Sequence, residues 1–193
     1  SWRFWFLSLG VGLGQAGWYI VLLFMASIGV SIGLGVHNAA IILGAINGAS
    51  AMGQFVAGYA ADVVGPVNSL VLFTFISTLS NAILFVPTLT FHSLLAYACL
   101  CGMSIGAADP LAVMAGVTQF GRSRAASTTG MMYGSVGFLV LITAPSARVV
   151  LSTIGGGENY RPVYVMIVVM FALSTLFLFA LRLRISRQLV VRA

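Results

Sequence analysis

Long runs without charge constrain this chain more than any other feature. After Arg3 no charged side chain occurs until Asp62, and after Asp62 none until Asp109. A helix of about 20 apolar residues spans the hydrocarbon core of a bilayer. Six stretches have that character: 4–28, 39–61, 67–87, 93–117, 127–149 and 162–181. Only 6% of residues are charged and mean hydropathy is +1.08, far from the values of soluble domains. The expected fold is therefore an all-α membrane protein, with residues 1–193 forming one unit of six transmembrane helices.

The net charge of +6 does not point to nucleic acid. All nine basic residues are Arg, most of them at predicted helix ends, and they form no basic face interleaved with aromatics. Cys99 and Cys101 lie two residues apart in an apolar helix and project to opposite sides, so they are read as small packing residues. No signal-peptide cleavage pattern follows Ser1, and a start other than Met is what a fragment of a longer protein would have.

The joints between the stretches carry helix breakers. Gly33 and Gly35 mark the first, Gly65-Pro66 the second, Pro87 the third, Arg122 and Arg124 the fourth, and Gly155–Gly157 with Pro162 the fifth. Six spans place both ends on one side. That side holds Arg3, Arg122, Arg124, Arg182, Arg184, Arg187 and Arg192, whereas the other holds only Arg148 and Arg161. The bias places both termini and the Arg122–Arg124 loop in the cytosol, with Trp2 and Trp5 as interfacial anchors.

Glycine sorts the helices. Spans one, two, four and five contain three or four glycines each, whereas spans three and six contain none and are rich in Leu, Val, Phe and Ile. Small residues let backbones approach closely, and bulky helices suit the periphery. Two close-packing helices followed by one peripheral helix, repeated, is the order expected of a three-plus-three inverted repeat.

Within span two, Ala45, Ala49, Gly53, Ala57 and Ala61 recur every four residues, the spacing of a helix-packing seam. Asn47, Ser50 and Gln54 share one side of the same helix. Such a stripe either lines a wet cavity or supplies interhelical hydrogen bonds. The junction from Gly58 through Asp62 to Gly65-Pro66 is read either as a solvated turn or as a conformational latch that pairs in one state and releases in another. Asp109, beside Pro110, is an intramembrane carboxylate, costly in lipid and a candidate cavity residue. Proline there predicts a kinked or broken helix, and Arg122 and Arg124 are the nearest basic residues along the chain. No nucleophile–base pair, nucleotide loop or metal cluster is present in the pattern, so neither an enzyme nor a cofactor or metal is expected.

The segment Asn47-Gly48-Ala49-Ser50-Ala51-Met52-Gly53-Gln54, continuing to Gly58, Asp62, Gly65, Pro66 and Asn68, resembles the C-terminal half of major facilitator superfamily transporters. Within them it is similar to the fungal monocarboxylate-permease-like group. The loop Gly121-Arg122-Ser123-Arg124 leading into a glycine-rich helix is a second point of likeness. The resemblance implies one half of a twelve-helix carrier that works by alternating access at a midplane site, a secondary transporter of the symport kind. Its partners would be a small-molecule substrate and either an N-terminal six-helix half or a second six-helix chain, and its place would be the plasma membrane. Gln54 stands where members of that group often carry Arg, and a neutral amide cannot hold a carboxylate by charge. Val63 and Pro66 likewise stand where the superfamily loop is usually basic.

Two functions follow from the sequence. One is transport of a small polar solute, with monocarboxylates the class implied by the resemblance. The other is a truncated or degenerate relative that serves as a membrane scaffold or partner subunit. The topology has a direct test: cysteines introduced at Glu158 and at Arg187 should label from opposite sides of the membrane, and labelling of both from one side would exclude an even number of spans between the N-terminus and Arg187 with Glu158 outside.

Overall fold

The computed structural model describes residues 1–81, 83 and 90–185, and these are helical throughout apart from short joints. The helices are α1 (Trp2–Ser31), α2 (Val36–Val64), α3 (Pro66–Ser80), α4 (Phe91–Phe120), α5 (Ala125–Thr153) and α6 (Arg161–Ile185), with a short 3-10 turn over Arg122–Arg124. Five of them, all but α3, are long and apolar enough to cross a bilayer. The 15 residues of α3 rise only about 22 Å. The remainder of the expected third span, and Pro87, fall largely outside the described residues.

Each boundary has a local cause. Helix α2 ends at Gly65, whose φ of 90° is open to glycine and strained for other residues. Pro66 then opens α3, where its missing N–H leaves no helical bond unmade. Helix α4 starts on a reciprocal cap: the Ser93 N–H donates to Thr90 Oγ1 at 3.3 Å and the Thr90 N–H to Ser93 Oγ at 2.8 Å. Of the kink and the break expected at Pro110, the break does not occur: α4 runs without interruption through Pro110 to Phe120. Membrane helices tolerate such a proline when neighbouring helices surround the freed carbonyl.

Helices α1 and α4 form the interior and bury most of their central residues, whereas α2 and α5 bury few. The principal pairings are α2 with α4, α1 with α5, α1 with α6, α3 with α4, and α3 with α6. The glycines explain the closest of them. A Cβ placed at Gly53 would sit 2.0 Å from the Met103 carbonyl oxygen, and one at Gly106 would sit 2.1 Å from that of Ser50. Only hydrogen side chains permit this approach of α2 to α4, which is the seam expected from the four-residue ladder. On α1, Gly10, Gly14 and Gly17 similarly receive Leu178, Ser174 and Phe171 of α6.

The glycine-free helices α3 and α6 present Leu72, Phe75, Leu79, Leu173, Leu176 and Phe179 outward. Their inner faces carry hydroxyls. Ser77 donates to Ser104 of α4 at 2.8 Å, Ser174 donates to the Gly10 carbonyl of α1 at 2.6 Å, and Thr78 bonds Thr175 at 2.9 Å. Arg182 of α6 donates to Asn68 of α3. At the chain's start, the Arg184 guanidinium lies 5.6 Å from the Trp2 ring centre, so α6 ends against the aromatic beginning of α1. Cys101 is buried and Cys99 exposed, on opposite sides of α4.

Candidate functional site

Asp109 is half-buried in α4, eleven residues before the end of that helix, or about 16 Å along its axis. It therefore lies well inside a continuous helix and not at its end. Its partner is Gln15 of α1, whose amide Nε2 donates to Asp109 Oδ1. Gln15 is 6% exposed and sits near the middle of its own helix. Behind it, Val11, Leu70, Thr74, Ile105 and Leu178 close around a void of only about 10 Å³.

Two tyrosines belong to the same neighbourhood. Tyr133 of α5 lies within electrostatic reach of both Asp109 and Tyr19 of α1. Tyr19 and Tyr133 are exposed, at 44% and 37%. Three helices thus bring one carboxylate, one amide and two phenols into one neighbourhood within the bundle. Arg122 and Arg124 are exposed in the 3-10 turn, thirteen and fifteen residues beyond Asp109, and form no ion pair with it.

The polar stripe on α2 divides in the structure. Asn47 and Gln54, about 20° apart on the helical wheel, are both exposed. The Asn47 amide donates back to the Leu43 carbonyl at 2.8 Å, and Gln54 has no partner among the described residues. Ser50 is turned about 60° towards the seam and lies against Gly106. The stripe therefore runs from the α2–α4 contact onto a free face.

Asp62 is exposed in the last turn of α2 and has no described partner, so it does not cap the start of α3. A carboxylate at a helix C-terminus faces the negative end of the dipole. Gly58, one turn earlier, has nothing within 4 Å of a Cβ, and Gly65 makes the turn into α3.

Sequence reasoning found Asp109 through its charge. It missed Gln15, Tyr19 and Tyr133, because neutral polar residues in a glycine-rich apolar run carry no signal of depth or partner. Once Asp109 is placed, Gln15 is the only amide in α1, and that is the clue the sequence offered.

No protein-family model matches the chain. An MFS-type transporter from Gibberella moniliformis is 27% identical over 173 residues, which is 89% of this chain and 41% of the relative. The likeness is to membrane transporters. Among solved structures, an auto-inhibited POT-family peptide transporter superposes with a TM-score of 0.80 at 16% identity, covering 99% of this chain and 38% of the other. A structure of a proton-dependent oligopeptide transporter gives 0.81 at 16% identity over 94% of this chain and 41% of the other. A bacterial homologue of human drug peptide transporters gives 0.81 at 15% identity, over 97% and 41%. The chain is an integral membrane protein with the fold of part of these transporters, and it spans about two-fifths of their length.

The Gln15–Asp109 bond should couple α1 to α4 energetically. A double-mutant cycle of Gln15→Ala and Asp109→Ala, read by unfolding in detergent, should give a coupling of about 1 kcal/mol, in the range of interhelical membrane hydrogen bonds. A coupling near zero would show that the two side chains act independently.

Proposed function

We propose that this chain is one half of a twelve-helix carrier that moves a small polar solute across a membrane by alternating access. The observation that carries the reading is a pair of uncovered faces. On α2, a Cβ at Gly44, Gly48 or Gly58 would meet nothing within 4 Å, and the same holds for Gly130, Gly134 and Gly137 on α5. Elsewhere in the bundle most helix glycines lie against another helix. Two small-residue faces without a neighbour, in a chain two-fifths the length of its transporter relatives, fit a second six-helix bundle docked across both.

The arrangement within the chain supports a three-plus-three repeat. The set of principal helix pairings is unchanged when α1, α2 and α3 are exchanged with α4, α5 and α6. Ser77-Thr78-Leu79 in α3 matches Ser174-Thr175-Leu176 in α6. The two threonines bond each other, while the two serines reach α4 and α1 respectively. That is the pattern left by a pseudo-two-fold axis passing between Thr78 and Thr175.

In this reading the cavity is lined by Asn47, Ser50 and Gln54 on one side and by Asp109 on the other. Gln54 can both donate and accept hydrogen bonds, which suits a neutral or zwitterionic solute better than a simple monocarboxylate. Asp62, with Gly58 and Gly65 at the same junction, serves as the latch; its unfavourable place at the negative end of α2 is relieved by a partner in one conformation only. The termini and the Arg122–Arg124 turn are cytosolic and the membrane is the plasma membrane.

Uptake into vesicles reconstituted with the full-length protein tests the cavity. Gln54→Ala should impair uptake with little loss of folded protein, and Gln54→Arg should shift preference towards anions; normal uptake by Gln54→Ala would reduce the stripe to interhelical glue. For the latch, Asp62→Ala should change the inward-to-outward ratio measured by accessibility labelling while leaving affinity within one state nearly constant. An unchanged ratio would remove the latch.

A further inference from the structure

The Asp109 cluster bears on the charge of the solute, and its role as a solute site rests on the proposed transport function. Asp109 is the one acidic residue within the described helices that lies far from both helix ends; Asp62 is in the last turn of α2 and Glu158 is in a joint. Its described neighbours are neutral. Gln15 donates to one carboxylate oxygen, Tyr19 lies one turn beyond Gln15 on the same side of α1, and Tyr133 of α5 is within electrostatic reach of Asp109 and Tyr19. Oδ2 has no protein partner, yet no buried polar side-chain atom among the described residues lacks one, so this second oxygen opens onto accessible space.

No basic residue among those described pairs with Asp109. Arg122 and Arg124 lie about 20 Å away along the chain axis, and Arg148 is fifteen residues beyond Tyr133 towards the other end of α5. A carboxylate kept at this depth is ordinarily matched by a cation, and the described part of the chain supplies none. Tyrosine rings attract cations through the negative face of the π-system, and the attraction strengthens on desolvation.

We propose that Asp109, Tyr19 and Tyr133 form a recognition site for the ammonium group of a cationic or zwitterionic solute, with Gln15 as a positioning residue that holds the carboxylate. The ammonium would meet Oδ2, the carboxylate oxygen that Gln15 leaves free. A simple monocarboxylate would meet repulsion at this point and has no described arginine to offset it.

The probe is radiolabelled choline, with lactate as the anionic competitor, bound to purified full-length protein and then offered to reconstituted vesicles. Wild-type protein should bind choline, and primary amines should displace it where lactate does not. Asp109→Asn should weaken choline binding at least tenfold, and Tyr19→Leu or Tyr133→Leu roughly threefold to tenfold. These tyrosines are exposed, so their replacement decides the matter even if Asp109→Asn fails to fold. Gln15→Ala should weaken choline binding less than Asp109→Asn, with partial recovery in Gln15→Asn. Choline affinity unchanged in Asp109→Asn, or in both tyrosine variants, would overturn the proposal, as would displacement of choline by lactate at lower concentration than by amines. Lactate uptake indifferent to Asp109→Asn would overturn it and leave the transport reading standing. Choline binding that depends on Asp109, without uptake of any solute, would support the site and overturn transport.

Discussion

The contact on which the bundle depends is backbone against backbone between α2 and α4. In lipid there is little hydrophobic gain from bringing one apolar helix to another, so association rests on close van der Waals packing and hydrogen bonds. Gly53 against the Met103 carbonyl, Gly102 against that of Ile46, and Gly106 against that of Ser50 bring the two helices nearer than any side chain would allow. The seam also fixes the rotation of α2. With Ile42, Ile46, Gly53 and Ala57 turned inward, Gln54 and Asn47 must face away from α4.

Other pairs use polar contacts more sparingly. Ser8 to Ser135 joins α1 to α5, Ser174 to the Gly10 carbonyl joins α6 to α1, Ser69 to the Ala60 carbonyl joins α3 to α2, and Ser77 to Ser104 joins α3 to α4. Each hydroxyl is small enough to leave the helices in contact, and each bond is worth only about 0.6 kcal/mol in such a setting. Against that background the Gln15–Asp109 bond is different in kind. Serine at both positions would suffice for adhesion; an amide holding a carboxylate fixes an oriented charge where the membrane makes charge costly.

Much of the architecture was legible in the residues, because lipid leaves few options. Backbone groups must be satisfied within helices, so uncharged runs became helices, and the glycine and proline joints at Gly65-Pro66 and Gly155–Gly157 fell where α2 and α5 end. The ladder through Gly53 and Ala57 read correctly as a seam, since four-residue spacing fixes one face. Pro110 left a kink or a break open, and the break did not occur, because α4 is enclosed by neighbours and continues. The site was only half visible. A charge in an apolar run draws notice by itself, whereas Gln15, Tyr19 and Tyr133 acquire meaning only when α1 and α5 are laid beside α4. That adjacency spans 94 residues for the Gln15–Asp109 pair, and nothing local encodes it.

The free faces of α2 and α5 also differ from the α2–α4 seam in texture. In the seam, Ile46, Ala49 and Ser50 sit in the hollows left by Gly102 and Gly106, so displacement along it would require backbone to climb over backbone. At Gly44, Gly48, Gly130, Gly134 and Gly137, by contrast, a Cβ would meet nothing, so the hollows they leave are unfilled within the described residues. If the proposed second bundle docks there, its own side chains can enter these hollows while the helices beneath keep their register. One sequence device, glycine at three- and four-residue spacing, thus yields a rigid joint where it is filled and an open seat where it is not.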